Sequence, residues 1–194
     1  MLNREFGWSI SVEDPLWTFA GDLKDASLEE PRLKRGVMVP RGGHLQLEFK
    51  AEQSSAGVMM ALLEAANQQL PFVYRLDKDG DNFRFVPVRA RDDEGRMVDA
   101  VPLLDRLVTI PHGTRPIYEI AQSMADQLSK QSGLQVSCCG GPSTGIPWGM
   151  DTITYGAEQL RARDVLKHLT EQQHGGSRNW MSHCDRSFCF IGFR

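Results

Sequence analysis

Apolar and polar residues alternate along the chain with two different periods. Trp8-Ser-Ile-Ser-Val12 has the period of two that a half-buried strand shows, and Asp14-Pro15 ends it. Leu45, Leu47 and Phe49 repeat that pattern, with the apolar side chains on one face. Val58, Met59, Leu62, Leu63 and Ala66 then recur at three- and four-residue spacing, which predicts a helix capped by Ser54 or Ser55 and stopped by Pro71. Period two returns in Phe72–Leu76 and Phe83–Val86. Between them Asp79-Gly80 predicts a two-residue hairpin turn with positive φ at both central positions. The stretch Asp77 to Asn82 is similar to the opening of a calcium loop. Val88 stands where the twelfth-position acid belongs, so the turn is the reading kept.

In the second half, Val101 to Ile110 is rich in branched residues and predicts a strand ended by Pro111. Thr114 is placed to cap a helix with Pro116 in its first turn, Ile117, Ile120, Ala121, Met124 and Leu128 as its buried stripe, and Gly133 as its end. Leu134–Cys138 predicts a strand, as do Ile153 and Tyr155. Val165, Leu166 and Leu169 mark another helix, and Trp180–Cys184 with Phe188–Ile191 a last hairpin turning at Asp185 to Phe188.

The two halves follow one plan. Ala51, Glu52, Gln53, Ala56 and Leu63 match Ala157, Glu158, Gln159, Ala162 and Leu169, with Met59 and Met60 opposite Val165 and Leu166. With one residue removed, Phe83, Phe85 and Arg89 match Phe188, Phe190 and Arg194. Leu2, Gly7 and Ser11 match Leu128, Gly133 and Ser137. We therefore expect an α+β protein of two tandem units, residues 1–91 and 92–194, divided at the polar Asp92-Asp-Glu-Gly95. The first carries a long irregular insertion over 18–43, a length associated with binding elements.

The order of elements, carried by Phe6-Gly7-Trp8-Ser-Ile10, Ser132-Gly133-Leu134-Gln-Val136 and Ala162-Arg-Asp-Val-Leu-Lys-His-Leu169, resembles the secretin and TonB short N-terminal domain, a βαββαββ module of bacterial envelope proteins. The resemblance implies two such units, the first lacking its opening strand and most of its opening helix. It also implies a protein-binding role without catalytic residues. The long insertion, the cysteines and the lack of an adjoining barrel, plug or secretin segment depart from that family.

Composition narrows the function classes. A net charge of -3 on 194 residues provides no field to gather nucleic acid or anionic lipid, and neither partner is expected. No apolar run approaches the roughly 18 residues of a membrane span. Leu2 to Gly7 reads as the last turns of a helix begun earlier, so a signal sequence and part of a helix are expected to precede it natively. The cysteines fall together in the second half, as Cys138-Cys139 and Cys184-x4-Cys189. That clustering suits a disulfide in an extracytoplasmic, periplasmic setting, pairing Cys184 with Cys189 or either of them with Cys138 or Cys139.

The competing class is a zinc or cysteine-dependent protein using Cys138, Cys139, His183, Cys184 and Cys189. Against it, adjacent strand residues such as Cys138 and Cys139 point to opposite faces. The Cys139–Gly145 turn lacks the Gly-Lys-Ser/Thr of a phosphate loop, and Ser143, Thr144 and Ser177 lack a nucleophile elbow. A non-enzymatic chain without cofactor follows as the expectation. Trp17 and Trp148, each just after a proline, are candidates to cover the two cores or to line a binding surface.

Overall fold

The helices begin and end where the chain supplies caps or breaks. The computed structural model describes residues 8–16, 19–25, 27, 38–41, 45, 48, 54–138, 149–173 and 179–193. Helix α1, Ser55–Gln69, starts at Ser54, whose side chain accepts a hydrogen bond from the Gly57 N–H at 3.2 Å. Helix α2, Ile117–Ser132, follows Pro116 and ends at Gly133, which adopts φ 75°. Helix α3, Ala162–Gln172, follows the extended Arg161, whose guanidinium bonds Asp164 in the first turn at 2.8 Å.

The strands are β1 (Ser9–Glu13), β2 (Leu23–Asp25), β3 (Met38–Pro40), β4 (Val73–Asp79), β5 (Asn82–Arg91), β6 (Met97–Asp99), β7 (Leu107–Pro116), β8 (Gln135–Cys138), β9 (Thr152–Arg161), β10 (Trp180–Cys184) and β11 (Phe188–Phe193). The protein is α+β with small sheets packed by helices. Its second half runs β7-α2-β8-β9-α3-β10-β11, the βαββαββ order.

The main sheet has the strand order β4-β5-β1-β10-β11-β8, with β6 on β5; β2–β3 and β7–β9 are separate antiparallel ribbons. In the first half β5 lies between β4, antiparallel, and β1, parallel. In the second half β11 lies between β10, antiparallel, and β8, parallel. The same three-strand arrangement therefore occurs twice, and parallel pairing of β1 with β10 fuses the two into one sheet.

Two cores lie on opposite faces of that sheet, because side chains alternate along β1. Ile10 and Val12 join the core under α1 with Val58, Met59, Phe83 and Phe85. Ser9, Ser11 and Glu13, all buried, turn the other way, where Trp180, Leu166, Leu169 and the stripe of α2 form the second core.

Several expectations are corrected. Val101–Ile110 is not one strand: Val101 is exposed, while Leu103 and Leu104, in a 3-10 turn, are both buried. Adjacent residues facing one core need a turn, since a strand would separate them. Strand β7 passes through Pro111 because a register shift between Ile110 and Gly113 absorbs the missing N–H in a two-stranded ribbon. Thr114 accordingly bonds Thr154 across that ribbon at 2.7 Å instead of capping α2.

The first hairpin turns at Gly80-Asp81, since Asp79 pairs with Asn82. Only Gly80 takes a positive φ, 60°, so the turn follows the pattern with glycine first. Asp92-Asp-Glu-Gly95 is itself a hairpin turn leading β6 back onto β5. The connection over 18–43 contains the β2–β3 ribbon.

The repeat is also out of step by one residue in the sequence alignment. The pairs Ile10–Phe83 and Val136–Cys189 occupy equivalent places, so Phe83 corresponds to Cys189 and Phe85 to Ile191. In the helices the buried Val58 and Met59, not Met59 and Met60, take the places of Val165 and Leu166; Met60 is 55% exposed. Trp17, Trp148, Cys139, the Ala51–Gln53 match and most of the Leu45–Phe49 strand lie outside the described residues.

Candidate functional site

The cysteine hairpin is formed as the alternation of β10 and β11 dictates. The Asp185 N–H donates to the Phe188 carbonyl at 2.8 Å, which makes those residues the hydrogen-bonded pair. The next pair out, Cys184 and Cys189, is then the non-hydrogen-bonded kind, the closer of the two, with Cα atoms 4.1 Å apart. A disulfide joins them. The Asp185 carboxylate accepts from the Ser187 and Phe188 N–H groups at 2.7 and 2.8 Å, and these bonds hold its pKa below the usual range.

Cys138 is also disulfide-bonded. With Cys138, Cys184 and Cys189 oxidised, the thiolate zinc site of the competing reading is not assembled, because zinc needs deprotonated sulfur. Among the described residues no group of three or more His, Cys, Asp or Glu side chains is gathered to hold a metal. His183 instead lies 3.2 Å from Asp14, and His168 stacks on Tyr155 with ring centroids 4.6 Å apart.

The disulfide closes a short loop, for which chain entropy gives a stabilisation of about 2 kcal/mol. The Cys184→Ser/Cys189→Ser double variant is expected to lose about that much in urea unfolding. Peptide mapping of unreduced protein from an oxidising compartment is expected to recover the Cys184–Cys189 link; free thiols at both positions would contradict it.

Sequence reasoning missed the ion cluster where the two halves meet. Arg163, in the first turn of α3, is 2% exposed and donates from Nε and Nη2 to the two carboxylate oxygens of Glu13 at 2.8 and 2.7 Å. Its Nη1 bonds Asp105, which Arg75 also reaches at 3.2 Å. One turn on, Lys167 pairs with Asp79, and Arg84 contacts the same carboxylate at 3.2 Å while lying 5.5 Å from the Trp180 ring. Burial raises the pKa of Glu13 against the opposing pull of Arg163. Burial alone would lower that of Arg163, but its bonds and charge contacts with Glu13 and Asp105 outweigh this and hold the guanidinium firmly protonated. The signal was faint: Arg163 shares a stripe with Leu166 and Thr170, and Glu13 continues a Ser9-Ser11 face that reads as solvated.

Elsewhere a wide cleft of about 490 Å3 is lined by Leu16, Asp92, Asp93, Arg106, Leu134 and Arg186. Arg186 is engaged with Asp93 at 3.2 Å, and Ser132 at its rim donates to the Leu128 carbonyl at 2.7 Å. No helix among the described residues is long and apolar enough to cross a membrane.

Among the described residues the main sheet ends in β4 on one side and β8 on the other. Strand β4 carries Arg75, Asp77, Lys78 and Asp79, whereas β8 has no charged residue. Compared with protein-family models, curated proteins and solved structures, the chain matches none.

Proposed function

We propose that the chain is a non-enzymatic, protein-binding module of a bacterial envelope, working in an oxidising, periplasmic compartment. The carrying observation is the uncharged edge of β8. An edge strand offers backbone N–H and C=O groups that a partner's strand can complete without specialised side chains; on β8 the outward N–H and C=O of Val136 are held by Ser129 Oγ at 2.9 and 3.4 Å, and an incoming strand would displace that hydroxyl. Charges on an edge discourage such pairing, so β4 is protected and β8 is the side that receives the partner. The Cys184–Cys189 disulfide supports an oxidising location, and the βαββαββ order supports the resemblance to secretin and TonB short N-terminal domains.

A photo-crosslinking residue at the exposed Gln135 of β8, in protein exported to the envelope, is expected to give a discrete protein adduct. The same residue at the exposed Lys78 of β4 is expected to give none. Absence of an adduct from Gln135, or equal adducts from both edges, would overturn the assignment.

A further inference from the structure

The two strands of the β7–β9 ribbon are treated differently by their neighbours. The far edge of β7 is closed by α2: Gln127 accepts from the Thr109 N–H at 2.9 Å and donates to the Thr109 carbonyl at 2.8 Å, as the peptide group of another strand would, and Gln131 donates to the Leu107 carbonyl at 2.8 Å. No helix side chain among the described residues closes β9 in that way.

Beside β9 runs a cleft of about 390 Å3, walled on one side by β9 from Tyr155 to Leu160 and on the other by α3 from Asp164 to Glu171. It is elongated, since that length of strand spans about 16 Å. Its lining carries three carboxylates, Glu158, Asp164 and Glu171, against one ammonium, Lys167, which is drawn off by Asp79. Arg161 meets Asp164, and Glu171 lies 3.8 Å from Lys167, but the exposed Glu158 pairs with nothing among the described residues. Behind these charges Tyr155 is 9% exposed, and its buried hydroxyl has no hydrogen-bond partner. Burial and the charge of Asp164 raise the pKa of that phenol, so it keeps a proton to donate. Each polar contact that the lining side chains do make is with a described residue.

We infer that this cleft binds an extended, basic segment of a partner protein, whose lysine or arginine meets the Glu158 and Glu171 carboxylates and whose backbone carbonyl accepts from the Tyr155 hydroxyl. The segment is extended because the cleft follows a strand. It is basic because the lining has an excess of carboxylates, one of them unpaired. A carbonyl suits the hydroxyl because a buried O–H without an acceptor is costly and native structures supply one. The inference rests on the reading of the chain as a protein-binding module and names the partner's chemistry at a surface separate from the β8 edge.

The test titrates the whole chain against a fluorescein-labelled Thr-Arg-Thr-Arg-Thr peptide and its Thr-Glu-Thr-Glu-Thr counterpart, followed by anisotropy. Saturable binding is expected for the basic peptide alone, weakened about threefold by Glu158→Gln and about tenfold by Glu158→Gln/Glu171→Gln. Glu64→Gln, which removes an exposed carboxylate of α1, is expected to leave it unchanged and so separates the cleft from the charge of the whole molecule. Tyr155→Phe is expected to weaken binding about threefold without lowering stability, since the hydroxyl bonds nothing in the free protein. As a measurement that needs no variant, hydrogen exchange with saturating basic peptide is expected to slow in residues 153–160. No saturable binding, equal binding of the acidic peptide, or a loss on Glu64→Gln as large as that on Glu158→Gln overturns the inference. Because the Gln135 crosslink reads only the β8 edge, failure of the cleft and failure of the edge are separately visible.

Discussion

Arg163→Ala is expected to lower the free energy of unfolding by about 3–5 kcal/mol, the cost of leaving a buried carboxylate without its partner. The size follows from the geometry: both oxygens of Glu13 are met by one guanidinium, and both side chains are 2% exposed. A carboxylate so placed has little water to replace the lost bonds, and burial already pushes its pKa upward. The variant is therefore expected to take up a proton at Glu13 on folding at a higher pH than the parent does. Since a raised folded pKa gives stability at low pH that is lost as pH rises through that value, Arg163→Ala should recover part of its deficit in acid. Glu13→Leu/Arg163→Met, which removes both charges and keeps the volume, is expected to lie much closer to the parent. Urea unfolding of the three proteins checks this; a single variant no less stable than the double would contradict it.

The elements were legible in the sequence where one face of a segment meets one core. α1, α2 and the β10–β11 hairpin all follow from simple periodicity and a local turn, whereas the choice of Cys189 over Cys138 or Cys139 as the partner of Cys184 does not. What the sequence concealed has a physical pattern. Phe83 and Phe85 were aligned with Phe188 and Phe190 on identity, yet Phe190 is 37% exposed and the inward residues are Cys189 and Ile191. Because strand side chains alternate, that one-residue slip exchanges the two faces.

The junction was concealed for a related reason. Ser9, Ser11 and Glu13 read as the wet side of a half-buried strand, but β1 lies between two strands and beneath two cores, one on each side. Burial of that polar face depends on residues about 150 positions further along the chain, which no local pattern records. Pro111 misled in the opposite direction, since a bulge in a two-stranded ribbon tolerates a proline that a central strand would refuse.

Trp180→Ala is expected to cost about 3–5 kcal/mol, and to do so in both halves at once. Trp180 is 2% exposed at the start of β10; its backbone N–H, which the variant keeps, bonds the Ser11 Oγ of β1 at 3.2 Å, and the Arg84 guanidinium of β5 lies near its ring. Emptying that position leaves a cavity against the second core and loosens the place where β1 meets β10. Because β1 is shared between the cores, hydrogen-bonded to β5 on one side and β10 on the other, neither half can release it alone. One unfolding transition is therefore expected for the whole chain, in parent and variant alike, with far-UV circular dichroism and the fluorescence of the remaining tryptophans changing together. Two separated transitions in the parent would mean that the sheet joins units stable on their own. In that case Trp180→Ala would shift only the transition of the second half, leaving the melting of α1, β4 and β5 where it was.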